Sequence, residues 1–218
     1  MIEALILFAS LGIFAGLIAG MFGVGGGIIT VPVLVACFIQ YGFEEEIMIH
    51  MAVGTSLGCI VFTGISSAYA HRQKNAINYK FFKPIALGIV IGAFLGALFA
   101  VQLNGNLLKI IIGIFALFVA IQMGINREIV LKERTKKNKE PYFVGTAIGF
   151  TSSILGIGGG IFSVPYLKAS GLPMTSSIGT SAACGVPIAI FGALGYIISG
   201  INNSLLPSLT LGYIYLPA

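Results

Sequence analysis

The residues of this chain best suited to bind a ligand are glycines in two short clusters, GVGGGIITVP and GIGGGIFSVP. The second cluster repeats the first at a constant offset of 133 residues, and each ends in a proline. A ligand can approach glycine backbone closely, and the first free amides of a following helix carry the positive end of its dipole. Such an arrangement binds anions. The predicted binding positions are Gly23, Gly25, Gly26, Gly27 and Pro32 in the first cluster and Gly156, Gly158, Gly159, Gly160 and Pro165 in the second.

Hydroxyl side chains also recur, in the hexapeptides GTSLGC and GTSAAC. They supply Thr55 and Ser56 in the first copy and Thr180 and Ser181 in the second. These hydroxyls can donate to an anion, or they can bond back to their own helix. Because the pair occurs twice, we expect it to add donors to the glycine site. In the alternative reading, the glycines only allow helices to pack closely, as small residues do in membranes.

Other kinds of site lack the residues they need. The chain has no aspartate, and its seven glutamates lie near a terminus or in expected loops, which makes an intramembrane cation site or carboxylate proton relay unfavourable. A nucleophile would need a histidine and an orienting carboxylate within reach, and no HExxH motif is present. The three cysteines show no CxxC spacing. We therefore expect no enzymatic activity, no catalytic residues, no metal and no cofactor.

The composition is that of an integral membrane protein. Hydrophobic residues make up 57% of the 218 residues and charged residues only 9%, whereas soluble domains carry about 25% charged residues. The mean hydropathy is +1.01. Apolar stretches near or above the ~20 residues that span a bilayer occur at 4–39, 47–70, 84–101, 107–125, 141–170 and 176–199.

Two of these stretches, 4–39 and 141–170, are too long for one straight crossing, and each contains a glycine cluster. Glycine weakens a helix and proline cannot donate an amide, so we expect both stretches to break there. The predicted fold is an all-α membrane protein with two homologous repeats, each starting with a glycine-broken segment. We divide the chain into a first repeat at 1–125, a basic linker at 126–140 and a second repeat at 141–218, which we expect to be incomplete at its C-terminus.

Positive charge is concentrated in two connections, at 71–83 and 126–140. Because cytoplasmic loops of membrane proteins are enriched in lysine and arginine, we expect both connections on the cytoplasmic side of the cell membrane. The net charge of +5 therefore indicates orientation and not nucleic-acid binding. The basic residues concerned are Arg72, Lys74, Lys80, Lys83, Arg127, Lys132, Arg134, Lys136, Lys137 and Lys139.

Two geometries fit the broken segments. In the first, each segment is one interrupted crossing and the two repeats are parallel. In the second, each segment is a re-entrant hairpin that turns near the midplane, the N-terminus is outside and the repeats are inverted. The second geometry places Glu44, Glu45 and Glu46 outside and Lys168 inside, so the charge bias favours it.

These motifs resemble those of the sulfite exporter TauE/SafE family of membrane permeases. The resemblance is carried by GLIAGMFGVGGGIITVPVL at 16–34, by GFTSSILGIGGGIFSVPYL at 149–167 and by the two GTS tripeptides, and it extends over nearly the whole chain. It implies a multi-pass permease for a small sulfur-containing anion, such as sulfite or an organosulfonate.

The partners expected on this reading are the small anion, the lipid bilayer and no nucleic acid, with a homo-oligomer left open. Two alternatives also remain open. One is a permease for another small anionic solute, and the other is a membrane subunit that scaffolds a partner and transports nothing.

Overall fold

The computed structural model describes residues 8–14, 16–17, 27–125 and 140–218. These parts of the chain are almost entirely helical, as the sequence predicted. Residues 8–14 and 16–17 are helical, and the longer helices are α1 (Gly27–Gln40), α2 (Glu45–Gln73), α3 (Tyr79–Gln102), α4 (Gly105–Ile125), α5 (Glu140–Leu155), α6 (Gly160–Ala169) and α7 (Met174–Gly200). After α7 the chain departs from the all-helical prediction in a short antiparallel hairpin of β1 (Thr210–Leu211) and β2 (Ile214–Tyr215).

Four helices are long and apolar enough to cross a membrane by length and composition: α2, α3, α7 and residues Gly105–Gln122 of α4. Helix α1 is apolar but has only 14 residues. Helix α4 is the least buried of the four. Its exposed apolar side chains, which suit contact with lipid, are Leu107, Ile110, Ile114, Leu117, Phe118 and Ile121.

Helices α3 and α5 pack backbone to backbone along a stripe of small residues. A Cβ placed at Gly88 would lie 2.8 Å from the amide nitrogen of Thr146, and one at Gly96 would lie 2.8 Å from the Cα of Phe150. On the facing helix, a Cβ at Gly149 would lie 2.8 Å from the amide nitrogen of Ala93. Residue numbers rise together along both helices, so α3 and α5 are parallel.

Helices α2 and α7 are antiparallel neighbours. A Cβ at Gly54 would lie 3.3 Å from the Cβ of Tyr196, and a Cβ at Gly64 would lie 3.7 Å from a methyl group of Val186. Residue numbers therefore increase along α2 in the direction in which they decrease along α7. Between these two contacts, the side chain of Leu57 meets Gly192.

The residues that follow each of these helices fold back onto the other helix. Gly179 of α7 packs against Ala76, just after α2, and a Cβ at Gly179 would lie 2.7 Å from the Cβ of Ala76. In the corresponding way, Gly54 of α2 packs against Tyr213, after α7, and a Cβ there would lie 2.9 Å from the Tyr213 carbonyl oxygen. The N-terminal part of each helix is thus covered by the residues that follow the C-terminus of the other helix.

The two ends of the helix bundle differ in chemistry. At the basic end, residues 74–78 connect α2 to α3. The helices reach further into this connection than the sequence predicted, because the side chain of Asn78 accepts a hydrogen bond from the Lys80 amide and caps α3. At the aromatic end, five rings contact one another: Phe8, Phe38, Tyr41, Phe43 and Tyr215.

Candidate functional site

The second glycine cluster interrupts the helix where the sequence predicted a break. Helix α5 ends at Leu155 and α6 begins at Gly160. Gly156 and Gly159 both have left-handed backbone, with φ of +70° and +74°, which side chains other than glycine rarely adopt. The amide of Ile157 donates to the Ser152 carbonyl at 3.0 Å and closes the end of α5.

Gly159 is the N-cap of α6. Its carbonyl oxygen accepts hydrogen bonds from the amides of Phe162, at 3.1 Å, and Ser163, at 2.9 Å, and a third from the Ser163 hydroxyl at 2.9 Å. The first amides of a helix have no acceptor within the helix, and the dipole adds partial positive charge there. The start of α6 is therefore the part of the break suited to an anion.

The break lies at the middle of the two long helices α2 and α7. Gly158 is beside Ile60 of α2, and its carbonyl oxygen is 3.2 Å from the position of a Cβ on Gly185 of α7. Both of these residues are more than ten positions from either end of their helices. The polar backbone of the break is thus enclosed by apolar helices far from both ends of the bundle.

Of the first glycine cluster, Gly27 is described, whereas Gly23, Gly25 and Gly26 lie outside the described residues. Gly27 begins α1 and packs directly against the Gly156 carbonyl oxygen, and a Cβ at Gly27 would lie 2.7 Å from the Cα of Ile157. The end of the first cluster therefore touches the second.

Close packing accounts for some of the glycines at the break and not for others. A Cβ at Gly156 would lie 2.9 Å from a methyl group of Val31, and one at Gly159 would collide with Ile188. By contrast, a Cβ at Gly158 or Gly160 meets only ordinary contacts among the described residues, at 3.7 Å and 3.8 Å. Neither Gly158 nor Gly160 has positive φ. Packing within the described part of the chain therefore does not require glycine at these two positions.

The two prolines lie inside helices and not at the break. Pro32 is the sixth residue of α1, and Pro165 is the sixth residue of α6. In each helix the missing proline amide leaves one carbonyl in the first turn without its usual intrahelical donor.

The two predicted serines are buried at the break. The Ser56 hydroxyl donates to the Gly156 carbonyl oxygen at 2.9 Å. Because the Ser163 hydroxyl donates to the Gly159 carbonyl oxygen, the Ser181 hydroxyl, 2.7 Å away, donates to the Ser163 oxygen. A Cβ at Gly160 would lie 3.8 Å from the Ser181 oxygen. Hydroxyls from α2, α6 and α7 thus converge on the backbone around Gly156–Gly160.

The two predicted threonines bind the returning loops. The Thr55 hydroxyl oxygen accepts a hydrogen bond from the Tyr215 amide at 3.0 Å, and that of Thr180 accepts one from the Asn78 amide at 2.9 Å. Both threonines are buried. The hydroxyl of Thr55 on α2 therefore binds a residue that follows α7, and the hydroxyl of Thr180 on α7 binds a residue that follows α2.

Three serines near the break were missed from the sequence. Ser163 aligns with Thr30 at the offset of 133, so the repeat itself could have identified it. Ser152 and Ser153 are fully buried at the end of α5, and their hydroxyls have no hydrogen-bond partner in the described structure. They align with Ala19 and Gly20, which have no hydroxyl group, so the comparison of the two repeats does not identify them.

The described residues contain no group of three or more His, Cys, Asp or Glu side chains placed to hold a metal. Within the same residues, Cys37, Cys59 and Cys184 are free thiols. His50 is buried near the aromatic end, where Nε2 lies 3.2 Å from the Ala100 carbonyl oxygen and 3.1 Å from that of Leu103. It holds the turn between α3 and α4.

Comparison with known proteins identifies the class. The family model described as sulfite exporter TauE/SafE matches residues 8–216. The chain belongs to this family. No solved structure matches it.

Curated relatives of the TauE/SafE chain carry transporter names. It is 37% identical to a probable membrane transporter protein of Haemophilus influenzae, over 100% of this chain and 83% of the relative. It is 31% identical to a probable membrane transporter protein of Methanocaldococcus jannaschii, over 94% of this chain and 73% of the relative. The probable membrane transporter protein YunE of Bacillus subtilis is 29% identical, over 91% and 80%. The chain is thus a member of a membrane transporter family.

Proposed function

We propose that this protein is a permease for a small, sulfur-containing anion such as sulfite or an organosulfonate, which binds at the second glycine break. The observation that carries the proposal is that no contact among the described residues requires glycine at Gly158 or Gly160, beside the start of a helix in the middle of the bundle. The family description supports the class of substrate.

The chemistry of the break suits a transported anion. An anion that leaves water must find donors to replace its hydration, because burying an unpaired charge is very unfavourable. The amides at the start of α6 are neutral dipoles. They stabilise negative charge without a fixed countercharge that would hold the anion too tightly for release.

We propose that the two repeats are inverted, each opening with a re-entrant hairpin. The antiparallel packing of α2 and α7 and their exchanged loops support this arrangement. Helix α5 is parallel to α3, which starts at the basic end. Helix α6 is antiparallel to α7, because Ser163 contacts Ser181 and the Ser177 hydroxyl donates to the Leu172 carbonyl oxygen, just after α6. Helix α7 also starts at the basic end. The directions of α5 and α6 thus fit a hairpin that enters and leaves at one side.

In this arrangement the first glycine cluster would enter from the opposite side, and its last residue, Gly27, packs on Gly156 of the second cluster. The contact between Phe8 and Tyr215 at the aromatic end supports that direction. Movement of one repeat against the other around this meeting point would expose the anion to each side in turn. With the basic connections 71–83 and 126–140 in the cytoplasm, the aromatic end and the N-terminus face outward.

The test is solute flux through the purified full chain in proteoliposomes. The panel is sulfite, sulfate, thiosulfate and methanesulfonate, with acetate and an amino acid as comparisons. We expect saturable flux of sulfite or methanesulfonate that empty liposomes lack. Flux of acetate alone would favour the alternative of a permease for another small anion. No flux of any solute would contradict the proposal and leave the scaffold alternative.

A further inference from the structure

We propose that Ser152 is a substrate-binding residue whose hydroxyl donates a hydrogen bond to an oxygen atom of a small oxyanion at the start of α6. This inference rests on the proposed function, because it adds a side-chain donor to the same site. It concerns a residue that has no counterpart in the first repeat, where Ala19 aligns with Ser152.

The Ser152 hydroxyl is buried and faces the break. The side chain is 0% exposed, and its oxygen has no hydrogen-bond partner within the described part of the chain. That oxygen lies 3.2 Å from the position that a Cβ on Gly159 would occupy. Gly159 is the N-cap of α6 and has no side chain to satisfy the first amides. The Ser152 hydroxyl therefore lies beside the N-cap residue of α6, at a position that Ile188 and Ile148 also border.

Three other hydroxyls on helices of this chain bond back to their own helix. Thr146 donates to the Tyr142 carbonyl at 3.0 Å, Thr151 to the Ala147 carbonyl at 2.8 Å, and Ser170 to the Tyr166 carbonyl at 2.9 Å. This is the usual state of serine and threonine in an apolar environment. Ser152 makes no such bond, although it directly follows Thr151 in the same helix. A buried donor without a partner is unfavourable, and an oxyanion at the break would satisfy it.

Ser153 provides a matched comparison. It is also fully buried, its hydroxyl also has no partner among the described residues, and it lies on the same turn of α5. However, its hydroxyl faces helix α7, where a Cβ on Gly192 would lie only 2.8 Å from the oxygen. Leu57 of α2 fills the adjacent space. Ser153 therefore lies against α7, whereas Ser152 lies beside the N-cap residue of α6.

The chemical class of the ligand follows from the donors. Main-chain amides can only donate, whereas a serine hydroxyl can donate or accept. A site made of both suits a small anion with several exposed oxygens, whether it is fully ionised or carries one proton. Sulfite and methanesulfonate both have such oxygens, and halide ions have none.

The experiment measures equilibrium binding of sulfite and methanesulfonate to the purified full chain in detergent. It compares the unmodified protein with Ser152→Ala and Ser153→Ala, and it records thermal unfolding without anion. Because a hydrogen bond to a charged group is worth more than one between neutral groups, Ser152→Ala should raise Kd by roughly ten- to a hundredfold. Ser153→Ala should leave Kd within about twofold of the unmodified protein, since its hydroxyl faces away from the site. Neither variant should unfold at a lower temperature, because each removes an unsatisfied hydroxyl.

Two results would overturn the inference while leaving the proposed function intact. One is an unchanged Kd in Ser152→Ala alongside clear binding to the unmodified protein. The other is an equal loss of binding in both variants, which would assign the effect to the packing of α5. If the unmodified protein bound neither anion, the proposed function would fall and the inference with it.

Discussion

The Ser56 hydroxyl donates a 2.9 Å hydrogen bond to the Gly156 carbonyl oxygen, one hundred residues further along the chain. Gly156 has φ of +70° and is the first residue after α5. A side chain of α2 therefore holds the left-handed backbone at which the second broken segment departs from its helix. The break is part of a fixed tertiary arrangement in which both halves of the sequence take part.

The first prediction concerns this bond. Ser56→Ala leaves the buried Gly156 carbonyl without its donor, which should lower the free energy of unfolding by about 1–3 kcal/mol. Thermal unfolding in detergent provides the measurement. Thr63→Ala is the control, because the Thr63 hydroxyl bonds only to the Cys59 carbonyl of its own helix at an exposed position. Equal unfolding temperatures for the two variants would contradict the assigned role of Ser56.

The second prediction concerns the exchanged loops. Thr180→Val removes the acceptor for the Asn78 amide, and we expect it to destabilise the protein by about 1–3 kcal/mol because a partly buried donor loses its partner. Thr180→Ser keeps the hydroxyl oxygen and should retain most of the stability. The measurement is chemical unfolding of both variants in the same detergent. If Val and Ser proved equally stable, the hydrogen bond would contribute nothing.

The third prediction concerns the packing of α3 on α5. A Cβ at Gly92 would overlap the backbone of Thr146, lying 2.7 Å from its carbonyl carbon. Gly92→Val should therefore push the two helices apart and sharply reduce the yield of folded, monodisperse protein. Gly113→Ala on α4 is the control, since no described atom lies within 4 Å of a Cβ there. A normal yield of Gly92→Val would show that the helices do not approach this closely.

The fourth prediction concerns orientation. In a background with Cys37, Cys59 and Cys184 replaced by alanine, Lys74→Cys should react with a membrane-impermeant maleimide only after the cytoplasmic face is opened. Glu44→Cys, at the other end of α2, should react in intact cells. Both positions are exposed. Labelling in the reverse order would overturn the proposed cytoplasmic location of the basic connections.

Much of the architecture could be predicted from local sequence. High hydropathy identified the membrane class. The glycine run identified the break between α5 and α6, because a stretch of thirty residues is longer than the ~20 that span a bilayer and glycine weakens a helix. The GTS tripeptides were expected to add hydroxyls to an anion site, and the structure places Ser56 and Ser181 beside the second break. These features depend on short-range properties of the chain.

Other features depend on contacts between distant residues and could not be predicted. Nothing in the sequence indicates that Thr55 and Thr180 accept hydrogen bonds from loops in the opposite half. Comparison of the two copies also directs attention to recurring residues, and it therefore misses Ser152. Which glycines are needed for packing became clear only from the atoms that surround each of them.

The central claim is that bare backbone at the second break binds the anion, and alanine at Gly158 or Gly160 tests it most directly. Both positions have room for a methyl group among the described residues, so each variant should fold and unfold like the Gly113→Ala control. We expect sulfite uptake into proteoliposomes to fall by roughly tenfold or more in both, because the methyl group occupies the space of the anion. Uptake equal to that of the control in two well-folded variants would contradict the account.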